Sequence, residues 1–291
     1  MHTPLQQRDL DIAILAARTA GQVVVDGYRI AHKLKYKGIG DVVTEVDTLC
    51  DTKIHAVLKK SFPEDRILSE ELASDVCDDG SRLWVVDPLD ATSGFVHRMG
   101  NMVPSVMIAL REHMMTQLAV IYFPLEDVMY HARAGHGAYR DGERIDLGKK
   151  ASMPLHKGRV DMNQYGDARL ETDDFRRIDT ALRSGVGAGL VTRSVPHSGI
   201  VATLLDPDST LLAVVHDNNP QKTKQEAWDK IPAQLILEEA GGSMINWRLK
   251  AIDPYIPELF VAAVSETMAK EILKLGRSTR WDDTIRRWQL T

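Results

Sequence analysis

The first sixty residues carry apolar side chains at helical spacing. An apolar or small residue recurs every three or four positions near the start, at Leu10, Ile14, Ala17 and Gly21. This period predicts an amphipathic helix over residues 9–27 that ends near a glycine. The same pattern predicts a second helix over residues 48–60, and Pro63 ends it because the residue before a proline avoids the helical conformation.

Short segments of β type replace the helical pattern from Leu83 onward. Four of them, separated by turn residues, predict strands over residues 83–86, 104–110, 118–123 and 127–132. The dipeptide Asp141-Gly142 is typical of a β-hairpin turn. The first half of the chain is therefore predicted to consist of helices packed on a largely antiparallel sheet.

Helical and strand patterns alternate in the second half of the chain. The predicted elements are helices over residues 175–183 and 231–240, and strands over residues 211–215 and 259–264. The stretch 149–158 has few apolar residues and contains Pro154 and Gly158, which indicates a crossing between two subdomains. We therefore expect an N-terminal domain over residues 1–150 and a C-terminal α/β subdomain over residues 151–291.

Composition narrows the classes of partner. The 291 residues include 36 Lys and Arg against 41 Asp and Glu, so the chain lacks the excess positive charge of a nucleic-acid-binding protein, and we expect a small-molecule partner and no nucleic acid. Cys50 and Cys77 are too few for a disulfide framework, which favours a cytoplasmic location. The sequence has no apolar run of about 18 residues and no signal-peptide pattern, so no membrane partner is expected.

The stretch from Trp84 to Phe95 has the strongest chemical pattern. A hydrophobic strand ends at Asp87, Pro88 forces a turn, and Asp90 follows three residues after the first aspartate. Two carboxylates at a strand end can share one magnesium ion, because magnesium prefers a few carboxylate ligands together with substrate phosphate. A helix starting here would direct backbone N–H groups toward a phosphate. Alternatively, the same residues form an ordinary surface turn.

Three further acidic positions each have a structural alternative when considered singly. Glu70, in the sequence Ser69-Glu70-Glu71, is typical of a solvated helix start. Asp47 stands three residues after Thr44, which is the spacing of a capping box. Asp229 fits a helix N-cap.

The order of these motifs is more specific than any one of them. The segments 41–47, 69–71, 84–95, 228–229 and 239–242, with further matches at 95–97 and 135–139, resemble those of the inositol monophosphatase family. That family belongs to the lithium-sensitive, metal-dependent phosphatases, which also include fructose bisphosphatases and bisphosphate nucleotidases. The resemblance implies a layered α-β-α-β-α sandwich, usually assembled as a homodimer.

The resemblance also implies roles for individual residues. Glu70 and Asp87, with the Leu89 carbonyl, would hold a first magnesium ion, and Asp87, Asp90 and Asp229 a second. A weaker third ion would lie on the Glu70 side, so that two to three Mg²⁺ ions act together. Thr92 with Asp47 would position the attacking water. The further candidates for phosphate or substrate binding are Asp90, Ala91, Thr92, Ser93, His197 and Lys222.

Several positions depart from the family pattern. Ala91 replaces the usual glycine, and we expect a helical conformation there with less room for phosphate. Gly94 replaces Asn or Glu, which suggests a loosened helix turn. The C-terminal subdomain would also carry Asp229. In this subdomain, residues 196–199 stand where the family usually has a segment of small residues. Lys222 replaces an acidic residue that grips substrate hydroxyls, and suits a second anionic group instead.

The function predicted from these features is magnesium-dependent hydrolysis of a small cyclitol, polyol or sugar phosphate by metal-activated water. Two alternatives stay open. The same fold could act on a nucleotide 3′-phosphate, histidinol phosphate or fructose 1,6-bisphosphate, or the chain could be a non-catalytic regulatory member of the family.

Overall fold

The computed structural model describes residues 7–30, 35–38, 41–72, 77–100, 102–164, 172–186, 189–194, 198–217 and 227–277. The α-helices in these ranges are α1 (Gln7–Gly27), α2 (Glu45–Ser61), α3 (Thr92–His97), α4 (Gly148–Ala151), α5 (Asp173–Ala181), α6 (Ser198–Leu205), α7 (Ala227–Glu239) and α8 (Glu266–Arg277). A 3₁₀ turn, Leu155–Lys157, and a π-type turn, Leu182–Val186, complete the helical segments of this part of the chain. None of the described helices is long and apolar enough to span a bilayer.

The strands within the described ranges form three sheets. They are β1 (Lys35–Gly38), β2 (Asp41–Val43), β3 (Arg66–Ser69), β4 (Leu83–Asp90), β5 (Ser105–Glu112), β6 (Met115–Phe123), β7 (Val128–Arg133), β8 (Ala138–Arg140), β9 (Glu143–Arg144), β10 (Arg159–Gln164), β11 (Leu190–Ser194), β12 (Leu211–Asp217), β13 (Ser243–Asn246) and β14 (Phe260–Ala263). Strands β1 and β2 pair with each other, β3 to β9 form a second sheet in sequence order, and the remaining five strands form the third.

The first of two compact units comprises Met1–Ile145, His197–Ala202 and Lys224–Ala240. Its seven-stranded sheet is antiparallel except for the parallel pair β3 and β4, which confirms the largely antiparallel sheet predicted for the first half. Helices α1 and α2 cover one face, and α7 packs on strands β4 to β7 from the other. Helix α7, which carries Asp229, therefore belongs to the same unit as β4.

Helix α1 packs closely because its inward face is made of small residues. Its fully buried alanines are Ala13, Ala16, Ala17 and Ala20. At Gly21 an added Cβ would lie 2.4 Å from the ring of Tyr122, so only glycine fits there. The predicted helix over residues 9–27 is confirmed as α1. The hairpin predicted at Asp141-Gly142 is also confirmed, since it joins β8 and β9 with φ values of 49° and 85°.

The second unit comprises Asp146–Pro196, Thr203–Thr223 and Gly241–Thr291. Its sheet has the order β11-β10-β12-β14-β13, in which β10 pairs in parallel with both β11 and β12, and the other two pairs are antiparallel. Helices α5 and α8 pack together against this sheet. The alternation of helix and strand predicted for the second half is confirmed, while the division at residue 150 into two domains stays a prediction.

Candidate active site

A bulge in β4 brings two aspartates to one face of the sheet. Asp87 pairs with Met107 and Asp90 with Ser105, so three steps along β4 oppose two steps along β5. Residues three apart in a regular strand face opposite sides, and the extra residue cancels that alternation. Pro88 fits inside this strand because the bulge leaves no ladder bond for it to donate. The strand predicted to end at Val86 therefore continues to Asp90, with both carboxylates on the same side.

Glu70 reaches the same place from the neighbouring strand. Ser69 at the end of β3 pairs in parallel with Val86, and the amide of Glu70 donates to the Val86 carbonyl at 3.2 Å. Glu70 thus follows β3 at the level where Asp87 follows Val86. Its negative charge is one of the causes that raise the pKa of Asp87. The helix start considered for Ser69-Glu70-Glu71 is not formed, because these residues end a strand and enter a bend.

Asp229 completes the cluster from the first turn of α7. Carboxylate oxygens of Asp87, Asp90 and Asp229 all lie within 4.8 Å of one another. Asp87 is only 1% exposed, and its pKa is raised well above the usual range by burial first and then by the charges of Glu70, Asp229 and Asp90. Several carboxylates therefore surround a buried carboxylate. Such a cluster is suited to binding a divalent cation, because the charge of the cation would offset the mutual repulsion of the carboxylates.

Asp47 combines two functions, one on each carboxylate oxygen. Its Oδ2 accepts from the Thr44 amide at 2.9 Å, and the Thr44 side chain accepts from the Asp47 amide, which together form the capping box of α2. The same Oδ2 also accepts from the Thr44 hydroxyl at 2.6 Å. Its Oδ1 accepts from the Thr92 hydroxyl at 2.8 Å. Burial raises the pKa of Asp47, and the hydrogen bonds from Thr44 and Thr92 oppose that shift. The capping alternative is therefore correct, and it leaves one oxygen for Thr92.

Thr92 connects this carboxylate to the bulge. Its hydroxyl also lies 2.9 Å from the Leu89 carbonyl, and the Leu89 amide donates to Asp87 Oδ1 at 3.0 Å. A hydroxyl has one proton to donate and two lone pairs that accept. When that proton goes to Asp47, the Thr92 oxygen can accept a hydrogen bond from a water beside the aspartate cluster.

Asp51 is a residue that the sequence analysis did not single out. It is fully buried in α2, one turn after Asp47, and its Oδ2 accepts from the Ser69 hydroxyl at 2.7 Å and from the Leu72 amide at 2.9 Å. These two bonds lie on either side of Glu70. His55 Nε2 lies 3.3 Å from the other carboxylate oxygen. A polar residue on the inward face of a predicted helix was the available signal for this network.

The structure describes some of the remaining candidate residues and not others. Ser93 is partly buried in the first turn of α3. His197 and Lys222 lie outside the described residues. Within segment 196–199, Ser198 donates its amide to Asp90 Oδ2 at 2.7 Å, and its hydroxyl lies 2.5 Å from that of Ser105. This contact places the start of α6 directly beside one carboxylate of the cluster.

The sequence profile described as the inositol monophosphatase family matches residues 5–280. The chain belongs to the inositol monophosphatase family. This is a family of magnesium-dependent phosphatases that act on small phosphate esters. The resemblance drawn from the ordered motifs is thereby confirmed.

Individual relatives carry different names. A fructose-1,6-bisphosphatase/inositol-1-monophosphatase of Thermotoga maritima is 33% identical over 84% of this chain and 88% of its own. The Nus factor SuhB of Haemophilus influenzae is 28% identical over 91% of this chain and 94% of its own. A solved structure of an IMPase/NADP phosphatase with Mg²⁺ and phosphate superposes with a TM-score of 0.74 at 19% identity, covering 94% of this chain and 96% of that one. The predicted fold of the inositol monophosphatase type is confirmed.

Ala91 differs from its predicted conformation. It precedes α3 with φ 63° and ψ 40°, in the left-handed region, and not in the right-handed helical conformation expected from the sequence. The Cβ of an L-residue crowds the following carbonyl there, which is the physical reason that glycine is favoured at such a position. The departure from the family glycine therefore adds backbone strain as well as a methyl group.

Restoring glycine at this position should stabilise the protein. Ala91→Gly removes a left-handed cost of roughly 1–2 kcal/mol and adds a smaller entropic cost in the unfolded chain, so we expect a net gain of roughly 0.5–1 kcal/mol. Equilibrium denaturation measures this gain. Turnover on the best substrate separately tests the effect of the methyl group on phosphate, because an unchanged rate would remove the crowding hypothesis.

Gly94 has a packing role and is not a loosened turn. A Cβ on this residue would lie 2.3 Å from the Met102 carbonyl oxygen. The Gly94 carbonyl also accepts from the Met99 amide at 3.0 Å, so the segment after α3 folds back over this residue. The suggestion of a loosened helix turn was therefore wrong, since close backbone approach requires glycine here.

Glu239 explains why two distant family motifs occur together. Its carboxylate accepts from the amides of Gly135 and Gly137, both at 2.7 Å, and joins the end of α7 to the β7–β8 turn. Both motifs lie in the first unit with the cluster. This contact fixes the far end of the helix whose first turn carries Asp229.

Proposed function

We propose that this protein hydrolyses a small phosphomonoester in a magnesium-dependent reaction. The observation that carries the proposal is the convergence of Asp87, Asp90 and Asp229, with Glu70 beside them, at the point where Thr92 and Asp47 share a hydrogen bond. This arrangement supplies cation ligands and a water-orienting pair in one place. The structure of the IMPase/NADP phosphatase with Mg²⁺ and phosphate supports the same chemistry by analogy.

The ligand set that we propose for magnesium uses the oxygen donors of this cluster and of the bulge in β4. We assign Glu70, Asp87 and the Leu89 carbonyl to one ion and Asp87, Asp90 and Asp229 to a second, with a third, weaker ion on the Glu70 side. Bound magnesium neutralises phosphate oxygens and lowers the pKa of a bound water. All of these donors are oxygens, which is the ligand type that magnesium prefers.

The protein's own groups then orient the reactants. Thr92 donates to Asp47 and accepts from the attacking water, which directs a water lone pair toward phosphorus. The amides of Ala91, Thr92 and Ser93 open α3 and are assigned to the phosphate oxygens. Phosphoryl transfer depends mainly on such positioning and on charge neutralisation.

Phosphate release from a panel of phosphomonoesters tests the proposal. The panel includes cyclitol, polyol and sugar phosphates, a nucleotide 3′-phosphate, histidinol phosphate and fructose 1,6-bisphosphate. We expect release from at least one compound in magnesium and none after chelation. Release that persists in chelator would contradict the role of magnesium, and the ranking of compounds identifies the substrate class.

Lys222 provides a specific test of substrate class. We propose that it favours substrates with a second anionic group, because lysine supplies a positive charge where the family pattern has an acidic residue. Lys222→Ala should then reduce turnover of a doubly phosphorylated substrate more than that of a monophosphate. Equal reductions for both would exclude a role in selecting charge.

A regulatory role is the second candidate function, and the similarity to proteins named Nus factor SuhB favours it. Each residue assigned to chemistry is nevertheless retained, namely Asp47, Glu70, Asp87, Asp90, Thr92 and Asp229. Absence of phosphate release from the whole panel, in a folded protein with magnesium, would favour the regulatory function. We also propose that the protein is cytoplasmic, that it forms a homodimer and that lithium inhibits it. Sedimentation tests the homodimer, and inhibition assays test the effect of lithium.

Asp51 should affect magnesium affinity through the turn that carries Glu70. Asp51→Ala removes the two hydrogen bonds that Asp51 makes to this turn, and loss of such a supporting group typically weakens metal binding about 10–100-fold. Asp51→Asn keeps one acceptor oxygen and should retain most of the affinity. The magnesium dependence of turnover measures both variants. An unchanged dependence in a folded Asp51→Ala protein would show that the turn holds its shape without this carboxylate.

A further inference from the structure

A cavity in the first unit is lined by residues outside the aspartate cluster. It has a volume of about 220 Å³ and is lined by Gln7, Leu10, His131, Arg133, His136 and Tyr139. The first two belong to the start of α1, and the others to β7, β8 and the turn between them. His131 and Arg133 alternate with buried Ala132, so they share the sheet face that α1 covers.

The lining residues of this cavity include one arginine and two histidines and no Asp or Glu. Arg133 is partly buried, and its guanidinium makes no hydrogen bond or ion pair within the described ranges, although exposed arginines such as Arg18 and Arg176 have carboxylate partners. An Arg fork is well suited to an oxyanion with two oxygens in its plane.

His131, another lining residue, carries an unsatisfied polar atom. Its Nδ1 is buried and has no hydrogen-bond partner, which is uncommon for a buried nitrogen. The ring is held in place by stacking on Tyr139, with centroids 5.3 Å apart and planes 13° apart. Burial, and then the charge of Arg133, lower the pKa of His131, and an anion bound between them would oppose the second of these effects.

We propose that this cavity binds a phosphate group, either inorganic phosphate or that of a small phosphomonoester. Arg133 supplies a planar pair of donors, and His131 and His136 supply donors from a strand and a turn. Donors on separate elements suit a tetrahedral anion better than a carboxylate, whose two oxygens the Arg fork alone satisfies. The nearby start of α1 adds the positive end of a helix dipole. This site needs no magnesium and stands apart from the proposed function.

Titration of the 291-residue protein with inorganic phosphate tests the site. Binding is followed by calorimetry and by the NMR signals of the histidine rings, in chelator and again in magnesium. We expect one phosphate to bind in chelator and to shift the signals of His131 and His136. Arg133→Gln should weaken this binding about 10–100-fold, because hydrogen bonds to charged groups carry that range of affinity. Glycerol 3-phosphate in place of inorganic phosphate shows whether an ester also fits.

Two controls separate this site from others. Arg140→Gln alters an exposed arginine on β8 outside the cavity and should bind phosphate as the unchanged protein does. Asp87→Asn alters the aspartate cluster and should also leave binding in chelator intact. His136→Ala, in an exposed turn, is a second cavity variant if Arg133→Gln folds poorly. The proposal is overturned if no phosphate binds in chelator, if acetate binds equally well, or if neither cavity variant weakens binding.

Discussion

Asp87→Asn should abolish phosphate release and, without divalent cations, stabilise the fold. Asp87 is assigned to both principal magnesium ions, so its loss should lower turnover about a thousandfold or more, equivalent to several kcal/mol of transition-state stabilisation. In metal-free protein the same carboxylate lies buried among Glu70, Asp90 and Asp229, and its raised pKa shows that this environment opposes its charge. A neutral amide of the same size avoids that cost, and the free energy of unfolding should rise by roughly 1–3 kcal/mol.

Denaturation in chelator and in magnesium measures the two effects separately. We expect the variant to be more stable than the unchanged protein in chelator and to gain less from magnesium. Asp65→Asn is a matched control, because Asp65 accepts from Arg82 at 3.0 Å and from the Trp84 indole at 2.9 Å. With a cationic partner, that aspartate stabilises the fold, so its substitution should lower stability in both conditions. A loss of stability by Asp87→Asn in chelator would contradict the proposed cation site.

The period of the hydrophobic residues predicted most of the fold. The bulge at Pro88 could be recognised only from the register of β4 against β5. Local pattern placed Asp87 at a strand end, and an aspartate three positions later would face away from it in a regular strand. Only the pairing of Asp87 with Met107 and Asp90 with Ser105 shows how the two carboxylates come together. The sequence signal was a proline within an apolar segment, which indicates a bulge as well as a turn.

Asp47 shows why local motifs left its function open. The capping box joins residues three apart and is visible in the sequence, whereas Thr92 lies 45 positions away. A carboxylate has two oxygens, so the structural and the chemical interpretation hold together. Ala91 shows the opposite limit, because alanine is a good helix former and nothing in its neighbours indicated a positive φ. The glycine that the family usually has at this position was the better guide to the backbone conformation of Ala91.

The hydroxyl of Thr92 should account for the second large effect on activity. Thr92→Ala removes the donor to Asp47 and the acceptor assigned to the attacking water, and loss of a positioned proton-transfer group typically lowers the rate about 10²–10⁴-fold. The cation ligands are unchanged, so the magnesium concentration at half-maximal rate should stay the same. Thr92→Ser is the matched control, since it keeps the hydroxyl between Asp47 and the Leu89 carbonyl and should lose little activity.

Steady-state rates at saturating substrate, measured over a range of magnesium concentrations, distinguish positioning from metal binding. A large fall in turnover for Thr92→Ala, a small one for Thr92→Ser, and one magnesium dependence for both would support a hydroxyl that orients water. Equal losses in the two variants would show that the threonine methyl matters, through packing of α3. A raised magnesium requirement in Thr92→Ala alone would instead assign the hydroxyl to holding the Leu89 carbonyl in place, because that carbonyl is the other acceptor within its reach.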